Sequence, residues 1–185
     1  MDLESLYLKN VQKEFSALKQ KGEKTIGRLN EEELYWRPTQ SSNSVAILIQ
    51  HLSGNMQSRW TDFLTTDGEK PNRHRDAEFE ESGSSRADLL RIWESGWKIF
   101  LDTLDRLEET DLQRTVYIRG EAHTVMEAIH RQLSHYAYHI GQIVYIGKQL
   151  KGEEWNSLSI PKGESETYLR QKLAQSQPYP PSRPR

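Results

Sequence analysis

The sequence contains no cysteine. Disulfides, thiolate metal sites and cysteine nucleophiles are all excluded, and any metal must be held by His, Asp or Glu. Neither charge dominates: 25 Lys and Arg stand against 27 Asp and Glu, a formal net charge of -2. Nothing in that balance draws the chain to nucleic acid or to an anionic membrane. No apolar run of about 18 residues occurs, so no membrane span is expected. The first residues, Met1-Asp2-Leu3-Glu4, are acidic and amphipathic, unlike a signal peptide, and a cytoplasmic protein is the expectation.

What the chain does have is helical periodicity. Its 185 residues are enough for one domain with its own core. Over residues 3–29, apolar side chains recur at Leu3, Tyr7, Val11, Phe15, Leu18, Ile26 and Leu29, the spacing of an amphipathic helix. Asn30-Glu31-Glu32-Glu33 then has the form of a capping box for a short turn, which Pro38 stops. A second helix, capped by Asn43 or Ser44, is apolar nearly all round at its start and reaches Phe63 or Leu64; it is read as central. Residues 65–83 turn to Asp, Gly, Lys, Pro, Arg and Glu. A charged stretch of that length reads as a lid or binding segment.

Ser84 or Ser85 opens a third helix, with Leu89, Trp93, Gly96, Phe100, Leu104 and Leu107 as its stripe, ending near Glu108. A capped turn at 110–113 and a small hairpin around Gly120 follow. Thr124-Val125-Met126-Glu127 is a capping box for a fourth helix running to about Leu150. A short helix over 164–174 is expected beyond it. Four long helices with polar outer faces predict an all-α four-helix bundle, with a hairpin before helix four and a C-terminal extension. Residues 1–175 are read as one domain and the Pro- and Arg-rich 176–185 as a tail without fixed structure.

The fourth helix carries the feature with chemistry. His135 and His139 stand four residues apart and so share one helix face, where two imidazoles can close on one ion. Two ligands rarely suffice. His51, on the apolar second helix 84 residues earlier, is the best third. Three His nitrogens leave coordination positions open, the plan of a catalytic rather than a structural site. Imidazole suits Zn or Ni, and also Fe, Co or Mn. Asn55 and Gln142 are candidates to orient the rings. Arg59, two turns beyond His51, is placed to reach an anionic substrate, although a surface ion pair accounts for it equally well.

Plainer readings stand beside these. His-x-x-x-His is common in helices, and the residues between are Tyr, Ala and Tyr, so the Glu base of a zinc protease is absent. His130 faces elsewhere on the helix, while His123 and His74 read as loop residues. Trp93, Trp97 and Phe100 read as core.

Gln50-His51-Leu52-Ser53-Gly54-Asn55 on helix two, and His135 through His139-Ile140-Gly141-Gln142-Ile143 on helix four, together resemble the DinB/YfiT-like superfamily of four-helix metalloproteins. Glu32-Glu33-Leu34 with Arg37-Pro38 adds to the likeness, and the 67–71 loop and 155–165 tail resemble a branch known only as a domain of unknown function. The resemblance implies a divalent metal held by His51, His135 and His139, often in a homodimer. It also implies thiol-dependent transfer or isomerisation with a low-molecular-weight thiol, in which the ion activates the thiol toward an electrophile.

The expectation is therefore a metal-dependent S-transferase or hydrolase of small molecules. A non-catalytic metal-binding stress or interaction protein, and a metal-free scaffold with three buried histidines, are the alternatives. No general base is marked by spacing.

Overall fold

The computed structural model describes residues 2–175. The chain folds as a predominantly helical bundle with one two-stranded hairpin. Helix α1 covers Leu3–Ile26, α2 Glu31–Tyr35, α3 Val45–Trp60, α4 Arg86–Asp105 and α5 Val125–Lys151. Strands β1 (Thr115–Ile118) and β2 (Glu121–Thr124) pair antiparallel, with Thr115 opposite Thr124. From Lys151 onward the chain forms a second compact unit, holding a one-turn 3₁₀ segment and helix α6 (Ser165–Gln175). The Pro/Arg-rich segment 176–185 lies outside the described residues. No described helix is long and apolar enough to cross a membrane.

The expected caps form. Asn30 accepts from the Glu33 backbone while Glu33 accepts from the Asn30 N–H. Ser44 accepts from Ile47 N, and Thr124 and Glu127 satisfy one another's backbone donors. Three helix ends fall short of the sequence expectation. The first helix stops at Ile26, where the N–H of Gly27 closes the last turn on Glu23. The second stops at Trp60, because Asp62 takes a left-handed conformation (φ 49°) that no helix continues through. The third stops at Asp105, and Glu108 then opens a separate turn by donating its N–H to Asp111.

The core lies where the long helices meet. Phe15, Trp97, Phe100 and Tyr136 are buried, with Phe15–Phe100 ring centroids 4.5 Å apart and Trp97–Tyr136 5.5 Å apart, both edge-to-face. Removing one of these rings, as in Trp97→Ala, should cost about 3–5 kcal/mol in lost transfer energy and cavity formation. Helix α3 packs against α4 and is buried on almost every face, as its apolar run predicted. Tyr136 sits between two environments. Its ring joins the aromatic core, and its hydroxyl reaches Asn55 Oδ1 at 3.4 Å, at the edge of a polar cavity.

The 65–83 segment is pinned rather than loose. Gly68 N donates to Tyr117 O on β1 at 2.8 Å, and Ser58 on α3 donates to Gly68 O at 2.9 Å. Asp67 accepts from the backbone N–H groups of Arg119 and Gly120 in the hairpin turn, at 2.8 and 2.7 Å. Those two residues have φ of 57° and 76°, the left-handed pair that a two-residue hairpin turn needs. Gln50 on α3 holds the far end by donating to Glu80 O.

Candidate metal centre

Helices α3 and α5 each present a polar stripe at every fourth residue: His51, Asn55 and Arg59 on one, Arg131, His135 and His139 on the other. The two stripes meet. His51 Nε2 and His139 Nε2 each lie 3.1 Å from His135 Nε2, and the three ligand atoms fall within 4.8 Å of one another. Nitrogens that share one ion at about 2.1 Å sit roughly 3.0–3.4 Å apart, and the two separations to His135 fall in that range, so the cluster is able to coordinate a single divalent ion. His51 and His139 are buried and His135 is half-buried.

Each ring is turned by a partner on its other nitrogen. His51 Nδ1 donates to Glu78 Oε2 at 2.9 Å, and His139 Nδ1 donates to Gln142 Oε1 at 2.8 Å. Both assignments place the proton on Nδ1 and leave the Nε2 lone pair aimed at the common point. His135 is oriented by Gln132, whose amide lies 3.0 Å from Nδ1 and 2.9 Å from Asn55. Here the Gln132 amide donates to both neighbours. A half-turn of the Gln132 and Asn55 amides moves no heavy atom appreciably and lets Gln132 accept from His135 Nδ1–H, freeing the third lone pair.

The electrostatics favour neutral, ligand-ready imidazoles. Burial pushes the His135 pKa down to about 3, and the charges of His139, His51, Arg59 and Arg73 push the same way. His139 is also lowered, first by burial, against the raising effect of its bond to Gln142. Burial would raise the Glu78 carboxyl, but hydrogen bonds from His51 and Arg73 and the Arg73 charge hold it below the ordinary carboxylate range.

Of the residues singled out in the sequence, His51, His135 and His139 are brought together, with Asn55 and Gln142 behind them. His130 packs edge-on against Tyr7, His123 sits on β2 beside Glu121, and neither joins the cluster. Arg59 is not a surface residue. It is 6% exposed, lines the cavity beside the histidines, and pairs with no carboxylate among the described residues.

Glu78, Arg73 and Phe79 were not singled out. Glu78 lies in the 3₁₀ turn Asp76–Phe79 of the 65–83 segment and is gripped by Arg73 through Nε (2.8 Å) and Nη2 (2.9 Å). Phe79 lies against the His51 ring at 4.6 Å. Gly54, one turn after His51, leaves the space Glu78 occupies: a Cβ there would lie 2.4 Å from its carboxylate oxygen. The glycine in the sequence was the one available hint that something approaches α3 at that level.

A helical bundle enclosing a three-histidine cluster able to coordinate a divalent ion is the class of protein that fold and site define. The chain belongs to the family described as Protein of unknown function (DUF1572), whose model matches residues 2–164. A comparison with curated proteins finds no match.

Proposed function

We propose that the protein is a metal-dependent enzyme of the DinB/YfiT-like type, acting on small molecules, with His51, His135 and His139 as the ligands of one divalent ion. Zn or Ni is the first choice for an all-imidazole set. The observation that carries this reading is the convergence of three Nε2 atoms whose rings are each oriented from behind by Glu78, Gln132 or Gln142. Without an ion, a proton on His135 Nε2 can satisfy the lone pair of one neighbouring imidazole in good geometry, which leaves the other Nε2 lone pair without a full partner. An ion bound there supplies Lewis acidity, able to lower the pKa of a thiol or a water at neutral pH.

The chain's own residues do the rest. The Glu78 carboxylate fixes the His51 tautomer, and Arg73 in turn fixes Glu78. Phe79 lies against the His51 ring, which is buried. Among the described residues no Asp or Glu lines the cavity, and both Glu78 oxygens are engaged, so this lining offers no free carboxylate to act as nucleophile or base. With no cysteine in the chain, that supports an exogenous low-molecular-weight thiol, or water, as the attacking group. S-transfer is the first reading and hydrolysis the second. The lack of a free base is equally the feature that favours the non-catalytic alternative, a metal-binding stress or interaction protein. A homodimer belongs to the same reading, and exposed Tyr138 and Tyr145 on α5 are available for a contact.

Two measurements test it. Elemental analysis of purified protein, before and after loading with Zn²⁺ or Ni²⁺, should give near one ion per chain. His51→Ala should lower the affinity by about 100-fold or more, losing both an inward ligand and the Glu78 linkage. Loaded protein is then assayed with a panel of thiols and electrophiles. Turnover no greater than that of His51→Ala would leave the metal site standing and remove the transferase.

A further inference from the structure

The cavity beside the histidines has a volume of about 480 Å³ and is lined by five arginines (Arg59, Arg73, Arg75, Arg119 and Arg131) and by no carboxylate. A chain of net charge -2 has no compositional reason to gather five guanidinium groups on one small cavity. Three of them have acidic neighbours: Arg73 is held by Glu78 and Glu69, Arg119 by Glu69, and Arg75 lies 3.8 Å from Asp76. Arg59 pairs with none. It is 94% buried by accessible surface, its Nε has no hydrogen-bond partner among the described residues, and the repelling charges of Arg131 and Arg73 outweigh the attraction of Glu69. A buried charge without a counter-ion is costly and is normally paired.

The structure also builds a seat for that side chain. Gly68 packs against it so closely that a Cβ would lie 2.9 Å from Cδ and 3.2 Å from Nε. The glycine backbone is tied to Tyr117 O and to Ser58, so the seat is braced by both the hairpin and α3. The 65–83 segment thereby fixes Arg59 along the cavity wall, within the same cavity as the three Nε2 atoms.

We propose that this cavity is an anion site and that the substrate is a small organic molecule bearing a carboxylate or phosphate, held by Arg59. The planar fork of a guanidinium matches either group through paired hydrogen bonds. A cavity of this volume admits a small molecule and no macromolecule. The anion supplies the counter-charge that Arg59 lacks, while Arg119 and Arg131 at the rim draw it in. The role in substrate choice rests on the metal-dependent reading above. The anion site itself rests only on the cavity and its arginines.

Calorimetric titration with inorganic phosphate and with succinate, at constant ionic strength, tests the site on full-length protein both metal-loaded and chelator-treated. Wild type should bind at least one of the two saturably in both forms, and the stronger of them identifies the group. Arg59→Gln should weaken that binding by about tenfold or more, with Arg59→Lys between the two because it keeps the charge and loses the fork. Arg131→Gln, on an exposed helix face where folding is not at stake, should weaken it about threefold. Absence of saturable binding in wild type overturns the proposal. So does binding of equal strength in Arg59→Gln, including binding seen only with metal, which would place the anion on the ion instead. Anion binding that depends on Arg59 in a protein that takes up no metal would sustain the anion site and remove the metal centre.

Discussion

The two flanks of the histidine cluster are built differently. On α5, His135 and His139 are ligand candidates four residues apart, and each is oriented by a glutamine three residues away on the same helix. On α3, His51 is oriented by Glu78, 27 residues distant and carried on an irregular segment. One flank is assembled as soon as the helix forms. The other exists only when the 65–83 segment is docked against α3 and the hairpin. Helix periodicity secures the first. Tertiary contacts, from Asp67 on the hairpin turn to Arg73 on Glu78, secure the second.

Removing the partner on each flank measures that difference most directly. Glu78→Ala should weaken Zn²⁺ or Ni²⁺ affinity by close to 100-fold, since it deletes a charged acceptor and leaves Arg73 without its main partner. Gln142→Ala should cost about tenfold, because a neutral acceptor on an otherwise unchanged helix is lost. Competition with a chelator of known affinity reads both, and equal effects would erase the distinction between the flanks.

A smaller effect comes from crowding the docked segment without removing any polar group. Gly54→Ala places a methyl group against the Glu78 carboxylate, which is fixed on both sides and cannot simply swing away. Metal affinity should fall about tenfold, although alanine favours helix α3 by roughly 0.5–1 kcal/mol over glycine. A rise in thermal stability alongside a loss of affinity would be the signature.

The smallest effect concerns acid. His135 titrates near 3 in the folded chain because of burial and its cationic neighbours, against an ordinary value of 6.5. Between those values the unfolded chain binds more protons than the folded one, so stability falls as pH drops below 6.5. Chelator-treated protein should therefore show a lower denaturant midpoint at pH 5 than at pH 7. His135→Ala should flatten that slope, while Gln142→Ala should leave most of it.

The same contrast explains what could be read in advance. The His135–His139 pair, the capping boxes at Asn30 and Thr124, and the apolar run of α3 are local patterns, and each appears in the structure as expected. His51 was legible as a partner because an imidazole in a buried run needs one. Of the two residues expected to orient the rings, Gln142 bonds one directly, while Asn55 bonds Gln132 rather than a ring. Glu78 and Arg73 were not legible: they belong to a charged segment with no period, and nothing local distinguishes an acid that will dock on a histidine from one that stays in water. Arg59 was visible as a cation near the site, but its burial depends on Gly68 arriving from another part of the chain.

The sequence by itself thus determined a helical bundle, its helix starts and the three histidines, because helix formation and capping depend on neighbours within about four residues. Helices α1, α3 and α4 stop at local backbone turns at Gly27, Asp62 and Glu108. The tertiary structure decided which acid orients His51, and it gathered five arginines from α3, the 65–83 segment, the hairpin and α5 around one cavity. Those outcomes rest on pairings across tens of residues, and a pairing across that distance leaves no periodic mark in the chain.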